Sequence, residues 1–171
     1  MSFRKKKIII ADDSMAFIMY IGILLKRMGL DIVPAENGLE VMKIMKIMEP
    51  DLIMLDVTMQ MMDGIKTLRY IKEDQQTSNI PVIMVSTDSS KKMIDKCEKL
   101  GSAGYLIKPV NVDKLYESLE NNLFAPMGIK RKYLRAQFIK KVNLTFNGLT
   151  HELYAETLSE GGIYIRTKDP F

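Results

Sequence analysis

The amino-acid sequence predicts an α/β protein built on a doubly wound parallel sheet of five strands. Short apolar runs of about five residues alternate with longer segments that repeat apolar residues at helical spacing, and this alternation occurs five times. The connections between successive segments are short, so each strand is followed by a helix that leads to the next strand. This pattern favours one parallel sheet that carries helices on both faces.

The predicted strands are short apolar runs, as expected for strands that are buried on both faces of a parallel sheet. The clearest is the run from Leu52 to Leu55, four apolar residues that stop at the carboxylate of Asp56. The sequence predicts strands over residues 7–11, 31–35, 52–56, 81–86 and 104–107.

The predicted helices are bounded by capping and stop residues. Ser14 is placed to cap the first helix, and Gly29 ends it, because glycine accepts the left-handed backbone that follows many helices. Gly101 ends the fourth helix in the same way, and Asn37 and Gly38 are expected to form a turn before the second. The sequence predicts helices over residues 14–28, 39–48, 65–71, 91–100 and 112–124.

Polar side chains follow four of these strands at the points where the strands end. Asp12 and Asp13 follow the first strand, and Asp56 closes the third. Ser86 closes the fourth strand, and Lys108 follows the fifth. Parallel strands share one carboxyl edge, where α/β proteins bind their ligands, so we expect these side chains to lie together.

The chemistry of this set of residues points to phosphoryl transfer onto Asp56. Three crowded carboxylates repel one another and need a cation, and oxygen ligands beside a phosphate favour Mg²⁺. Lys108 can hold a phosphoryl oxygen as a point charge, and Ser86 can donate a hydrogen bond to another oxygen. Asp56 is therefore expected to act as a nucleophile toward phosphorus, with Mg²⁺ as the cofactor.

These residues, together with Tyr105 and the pair Lys108 and Pro109, resemble the receiver domain of two-component response regulators. The resemblance covers residues 5 to 124. It implies a flavodoxin-like sheet in the strand order 2-1-3-4-5, and phosphorylation of Asp56 by a sensor histidine kinase or a phosphotransfer protein. The magnesium ligands that it implies are Asp12, Asp13, Asp56 and the backbone carbonyl of Thr58.

The resemblance gives roles to three further side chains and shows two departures from the family. Ser86 and Lys108 would grip the phosphoryl group, and Tyr105 would turn inward as Ser86 moves. The family usually has proline four positions after the phosphorylated aspartate, where this chain has Gln60. A very small residue usually follows the switch hydroxyl, where this chain has Thr87. We expect phosphorylation to persist with altered kinetics.

The chain after residue 124 predicts a second region. Proline and glycine there indicate a linker, and strand-like content follows over residues 138–146 and 163–165, with Asn147 and Gly148 as a hairpin signal. The predicted divisions are a receiver domain over 1–124, a linker over 125–130 and a β segment over 131–171.

Two arginines and a later serine and glycine resemble the start of a PilZ domain, the family that binds cyclic di-GMP. Arg131 and Arg135 match its first motif. Ser159 and Gly162 match its second motif, although Thr157 stands where the family has an acidic or amide residue. Arginine suits this ligand because its planar guanidinium pairs with phosphate and stacks on guanine. The resemblance implies a PilZ-like output with cyclic di-GMP as its ligand, incomplete because further barrel strands would be needed.

Charge and composition limit the partners of the chain. Residues 1–125 contain 17 Lys/Arg and 17 Asp/Glu, whereas residues 126–171 contain 8 and 4, so the net charge of +4 lies in the second region. An anionic partner is therefore expected there. No apolar run approaches a membrane span of about 20 residues or a signal peptide, and the single cysteine, Cys97, excludes an internal disulfide. These features favour a cytoplasmic protein without a membrane partner.

Three other functions stay open on the sequence. A phosphorylation-independent adaptor would act through protein contacts, and the resemblance also implies pairing into homodimers through the fourth helix, fifth strand and fifth helix. A hydrolase would need a general acid, but Thr58 stands two residues after Asp56, so we expect no enzyme. A DNA-binding output would need a helix-turn-helix, and no such pattern follows the receiver region, so no nucleic-acid polymer is expected as a partner.

Overall fold

A computed structural model gives the fold of the protein. It describes residues 4–124 and the backbone of three further strands at 136–146, 149–159 and 162–166. The chain divides into two compact units, one with a parallel sheet and one with an antiparallel sheet. Within the described residues, no helix combines the length and the apolar content that crossing a membrane would require.

The larger unit contains a five-stranded parallel sheet in the order β2-β1-β3-β4-β5, which confirms the predicted fold class. The central strands β3 and β4 are buried along their whole length, because helices cover both faces of the sheet. The strands are β1 (Lys7–Ala11), β2 (Asp31–Ala35), β3 (Leu52–Asp56), β4 (Val82–Ser86) and β5 (Gly104–Ile107).

Five helices connect and follow these strands. They are α1 (Met15–Arg27), α2 (Gly38–Met45), α3 (Gly64–Glu73), α4 (Lys91–Lys99) and α5 (Val112–Leu119), and a π-helical turn, Glu120–Phe124, continues α5. Helix α2 ends at Met45, three residues before the predicted end. Two hydrogen bonds just after Met45 span three residues instead of four, as in a 3₁₀-helix. The N–H of Lys46 donates to the carbonyl of Lys43, and the N–H of Ile47 donates to the carbonyl of Ile44.

The helix ends follow the predicted capping chemistry with one exception. The hydroxyl of Ser14 accepts a hydrogen bond from the N–H of Phe17 at 3.3 Å, and Gly29 and Gly101 have positive φ angles of 75° and 90°. The predicted turn at Asn37 and Gly38 is wrong. Asn37 instead caps α2, with its side-chain oxygen accepting from the N–H of Glu40 at 3.1 Å.

The smaller unit is a three-stranded antiparallel sheet in the order β6-β7-β8, formed by β6 (Ala136–Phe146), β7 (Leu149–Ser159) and β8 (Gly162–Arg166). The sequence predicts shorter forms of β6 and β8 and does not predict β7. Residues 149–159 lack a continuous apolar run and include alanine and glutamate, which are uncommon in strands, so pairing with both neighbours decides their conformation.

Candidate functional site

Two buried carboxylates meet at the carboxyl edge of the parallel sheet. Strands β1 and β3 are neighbours with Ala11 opposite Leu55, so Asp12 and Asp56 follow at the same level of the edge. Both aspartates are almost fully buried, with 1% and 5% of their surface exposed. Each carboxylate accepts a hydrogen bond from the backbone two residues later, which fixes its orientation.

Lys108 joins these two carboxylates from the end of β5. Its ammonium lies 2.5 Å from Oδ2 of Asp12 and 2.7 Å from Oδ1 of Asp56. The other oxygen of Asp56 accepts from the N–H of Thr58 at 2.8 Å. The structure therefore brings together three residues that are far apart in the sequence, and it does so with charge-assisted hydrogen bonds.

Burial and ion pairing have opposite effects on the pKa values of this cluster, and the larger effect is not the same for Asp56 and Lys108. Burial raises the pKa of Asp56 above its ordinary value, and the hydrogen bond and charge of Lys108 offset only part of this effect. At Lys108 burial alone would lower the pKa, but the hydrogen bonds and charges of Asp12 and Asp56 raise it. Lys108 has two carboxylate partners, whereas Asp56 shares its single ammonium partner with Asp12, so pairing stabilises the charged form of Lys108 more than that of Asp56. When all three groups are ionised, the cluster carries an excess of negative charge.

Magnesium fits the donor chemistry of this cluster. Mg²⁺ takes an octahedral set of oxygen ligands, and one or two carboxylates suffice when water and phosphate oxygens complete the set. Asp12 and Asp56 supply two carboxylates that lie close enough to share one ammonium. Asp13 is exposed, and the described residues contain no group of three or more His, Cys, Asp or Glu side chains that could hold a metal ion. Two predicted ligands thus lie together, while Asp13 and the carbonyl of Thr58 stay predictions.

A chain of hydrogen bonds leads from Ser86 to Tyr105 through the loop after β4. Ser86 is buried at the end of β4, and its hydroxyl accepts from the N–H of Asp88 at 3.1 Å. The carbonyl of Asp88 accepts from the hydroxyl of Tyr105 at 2.7 Å. A displacement of Ser86 would therefore alter the position of Asp88 and remove the partner that holds the Tyr105 hydroxyl.

Phe17 is a pocket residue that the sequence does not reveal. Its ring lies beneath the ammonium of Lys108, with 4.3 Å between the nitrogen and the ring centroid. Apolar residues occur throughout α1, so nothing in the sequence distinguishes Phe17 from the core residues around it. Only the fold shows that this position of α1 faces the end of β5.

Comparison with known proteins agrees with this geometry. The family described as "Response regulator receiver domain" matches residues 8–120 of the chain. The chain belongs to this family. The match contains Asp12, Asp56, Ser86 and Lys108, and it ends at residue 120, directly after α5.

The relatives of this receiver include one of about the same length as the matched region and one that is several times longer. The chemotaxis protein CheY of Listeria monocytogenes is 34% identical over 115 residues, which cover 67% of this chain and 95% of CheY. Histidine kinase P4 of Formosa agariphila is 34% identical over 151 residues, and the chain spans only 11% of that kinase. Among solved structures, the Vibrio cholerae chemotaxis protein CheY4 has a TM-score of 0.66 at 25% identity, covering 70% of this chain and all of CheY4.

The candidate ligand residues of the second region are only partly described. Arg131 and Arg135 lie outside the described residues. Ser159 ends β7 and Gly162 begins β8, and the two are paired across the antiparallel ladder. The backbone thus pairs the two residues that match the second motif, while the relation of this motif to the arginines stays a prediction.

Proposed function

We propose that this receiver accepts a phosphoryl group on Asp56, with Mg²⁺, and passes the resulting change to its C-terminal region. The observation that carries the proposal is the bridge of Lys108 between Asp12 and Asp56 at the carboxyl edge of the sheet. A buried carboxylate held beside a lysine and a second carboxylate has a nucleophile, a phosphoryl-binding cation and a metal-binding oxygen in one place.

In the proposed reaction a carboxylate oxygen of Asp56 attacks the phosphorus of the donor. The new oxygen–phosphorus bond forms as the bond to the leaving group breaks, and the leaving group departs with the electron pair. Lys108 keeps its proton and exchanges a carboxylate oxygen of Asp56 for a phosphoryl oxygen. The N–H of Thr58 keeps the remaining Asp56 oxygen oriented during the transfer.

Asp12 and Asp56 would hold Mg²⁺, with Asp13 and the carbonyl of Thr58 as the further predicted ligands. The bound ion would offset the negative charge that accumulates between the carboxylates and the incoming phosphoryl group. Asp12 is positioned for this role by the N–H of Ser14, which donates to its Oδ1 at 2.9 Å and leaves Oδ2 directed to the cluster.

The proposed switch runs through the hydrogen bonds that leave the pocket. A phosphoryl oxygen would accept a hydrogen bond from the hydroxyl of Ser86 and draw this side chain toward Asp56. The loop at Asp88 follows Ser86 through their hydrogen bond, and Tyr105 loses the carbonyl that holds its hydroxyl. This sequence of contacts gives a physical reason for the inward turn of Tyr105 that the family resemblance implies.

A sensor histidine kinase or a phosphotransfer protein is the proposed phosphodonor, and the cytoplasm is the proposed location of the chain. An exposed apolar face on α1, directly after Asp12 and Asp13, supports docking of a protein beside the pocket. Met15, Met19 and Ile23 recur at four-residue spacing and are 48%, 62% and 54% exposed. Exposed apolar patches of this kind are typical of protein interaction sites.

Phosphorylation by a small acyl phosphate tests the proposal directly. The wild-type chain should gain one phosphoryl group in the presence of Mg²⁺, as measured by mass spectrometry, and Asp56→Asn should gain none. Asp113→Asn is a matched control, because this aspartate is exposed in the first turn of α5. Unchanged mass of the wild-type chain would instead favour an adaptor that works without phosphorylation.

We also propose that the second region is a PilZ-like output that binds cyclic di-GMP. Support comes from the spacing of Arg131 and Arg135, the excess of positive charge after residue 125 and the pairing of Ser159 with Gly162. Calorimetry with cyclic di-GMP should show binding that Arg131→Ala weakens. Lys114→Ala, on α5, is the control for a general loss of positive charge. If cyclic di-GMP gives no binding signal, either with this chain or with one that is extended past Phe171, the proposal is contradicted.

A further inference from the structure

The ammonium of Lys108 contacts an uncharged group as well as its two carboxylate partners, Asp12 and Asp56. This group is the ring of Phe17, with 4.3 Å between the nitrogen and the ring centroid. The Lys108 side chain is only 18% exposed. A cation beside an aromatic ring and shielded from water interacts favourably with the negative face of the ring.

The ring of Phe17 can keep the flexible side chain of Lys108 in the pocket. Lysine carries a compact, strongly hydrated charge on a flexible stem of four carbons, so its free side chain samples water readily. During phosphoryl transfer Lys108 must exchange an oxygen of Asp56 for an oxygen of the phosphoryl group. A contact that does not change in this exchange would keep the ammonium in the pocket, and the ring of Phe17 is such a contact.

We propose that Phe17 is a positioning residue for the phosphorylation of Asp56, which holds the ammonium of Lys108 in the pocket through the face of its ring. The inference rests on the function proposed above and deepens it. Phe17 contacts neither the phosphorus nor the leaving group, so it acts through Lys108. Its effect depends on the ring electrons, whereas simple packing would depend on size alone.

The first test measures the rate of phosphorylation by a small acyl phosphate at saturating Mg²⁺ over a range of donor concentrations. Phe17→Leu should lower the maximal rate about threefold, the effect of a weak cation–π contact, and leave the donor concentration at half-maximal rate unchanged. Phe17→Tyr should react at the wild-type rate because it keeps the aromatic ring. Tyr20→Leu is the matched control, an aromatic residue of the same helix that is 49% exposed.

A graded series separates the ring electrons from the shape of the side chain. Replacement of Phe17 by mono-, di- and trifluorinated phenylalanine changes its size little but weakens the negative face of the ring with each fluorine. The logarithm of the rate should fall stepwise along the series. Equal rates throughout would overturn the inference, and this comparison remains valid even if Phe17→Leu fails to fold.

A spectroscopic measurement without donor or Mg²⁺ tests the contact itself. The methylene protons next to the Lys108 nitrogen should show an upfield ring-current shift in the NMR spectrum of the wild type and of Phe17→Tyr, and lose it in Phe17→Leu. No shift in the wild type would overturn the contact. A wild-type chain that shows the shift but gains no phosphate would instead remove the proposed function, and the positioning role with it.

Discussion

Gly64 shows how closely the backbone approaches the proposed phosphorylation site. A Cβ atom at this position would lie 1.9 Å from the carbonyl oxygen of Asp56, where no side chain fits. The N–H of Gly64 also donates to the carbonyl of Val57 at 3.0 Å, so the start of α3 is held against the end of β3. The position of Asp56 therefore requires glycine, which has no side chain, at residue 64.

We expect Gly64→Ala to lower the free energy of unfolding by about 3 kcal/mol, because the loop must move away from a backbone atom. Phosphorylation of Asp56 should slow in the same variant, since the loop orients this carboxylate. Urea unfolding measures the first effect and the rate of phosphorylation measures the second.

Gly22→Ala is the control for Gly64→Ala. Gly22 lies inside α1, and a Cβ atom there would lie 3.8 Å from a methyl group of Ile32, which is an ordinary contact. Alanine is the better helix former, so this variant should gain about 1 kcal/mol in the free energy of unfolding. A similar loss in both glycine variants would show that the close approach at Gly64 is not the cause.

The sequence predicts the polar residues of the pocket better than their apolar neighbour. Asp12, Asp56 and Lys108 each follow an apolar strand, and the shared carboxyl edge of a parallel sheet brings such positions together. Phe17 lies on a helix where most residues are apolar, so its contact with Lys108 depends on the rotation of α1 against the sheet. That rotation depends on how α1 packs against the sheet, and the local pattern of apolar residues in α1 does not predict it.

At the opposite edge of the sheet, Asp51 holds the start of β1 against the start of β3. Its carboxylate accepts from the backbone N–H of Lys7 at 2.8 Å and from the side chains of Lys6 and Arg4, both at 3.0 Å. The N–H of Asp51 in turn donates to the carbonyl of Lys7 at 2.8 Å. This clamp begins the pairing of the strands that end at the pocket.

The clamp predicts how stability depends on pH. Burial alone would raise the pKa of Asp51, but the bonds from Lys7 and Lys6 and the charges of Lys6 and Arg4 lower it below its ordinary value of 3.8. The unfolded chain then takes up the proton first, so the stabilising effect is complete well above pH 3.8 and is lost as the pH falls through the pKa of the folded chain.

Asp51→Asn should therefore cost about 2 kcal/mol in the free energy of unfolding at neutral pH, the size of a lost charge-assisted hydrogen bond. The difference from the wild type should shrink below about pH 4. Chemical unfolding across this pH range measures both. Asp31→Asn is the control, because Asp31 is half exposed and its pairing with Lys5 spans 3.9 Å. A constant difference at every pH would contradict the role of the carboxylate charge.

The elements differ in how well the sequence predicts them, for physical reasons. The bounds of β1, β2, β3 and β5 are confirmed. The inner strands β1 and β3 are the clearest, because buried strands of a parallel sheet are apolar runs that end abruptly at polar residues. The end of α2 is wrong by one turn, since the apolar spacing continues after the backbone has tightened. Strand β7 has no such run, and its conformation depends on pairing with β6 on one side and β8 on the other.

The two units of the chain divide the proposed functions between them. The parallel unit contains the proposed phosphorylation pocket, while the excess of positive charge lies after residue 125. If both functions belong to one switch, the two ligands must influence each other. Thermodynamic linkage then requires the effect to be equal in both directions, because the free energy of binding both ligands does not depend on the order in which they bind.

We expect beryllium fluoride, an inert mimic of the phosphoryl group, to raise the affinity for cyclic di-GMP about tenfold, a typical coupling between two sites. Cyclic di-GMP should raise the affinity for beryllium fluoride by the same factor, and calorimetry measures both. Tyr105→Phe should keep both bindings and reduce their coupling, because it lacks the hydroxyl that responds to Asp88. Two ligands that bind with unchanged affinity in each other's presence would show that the second region acts independently of Asp56.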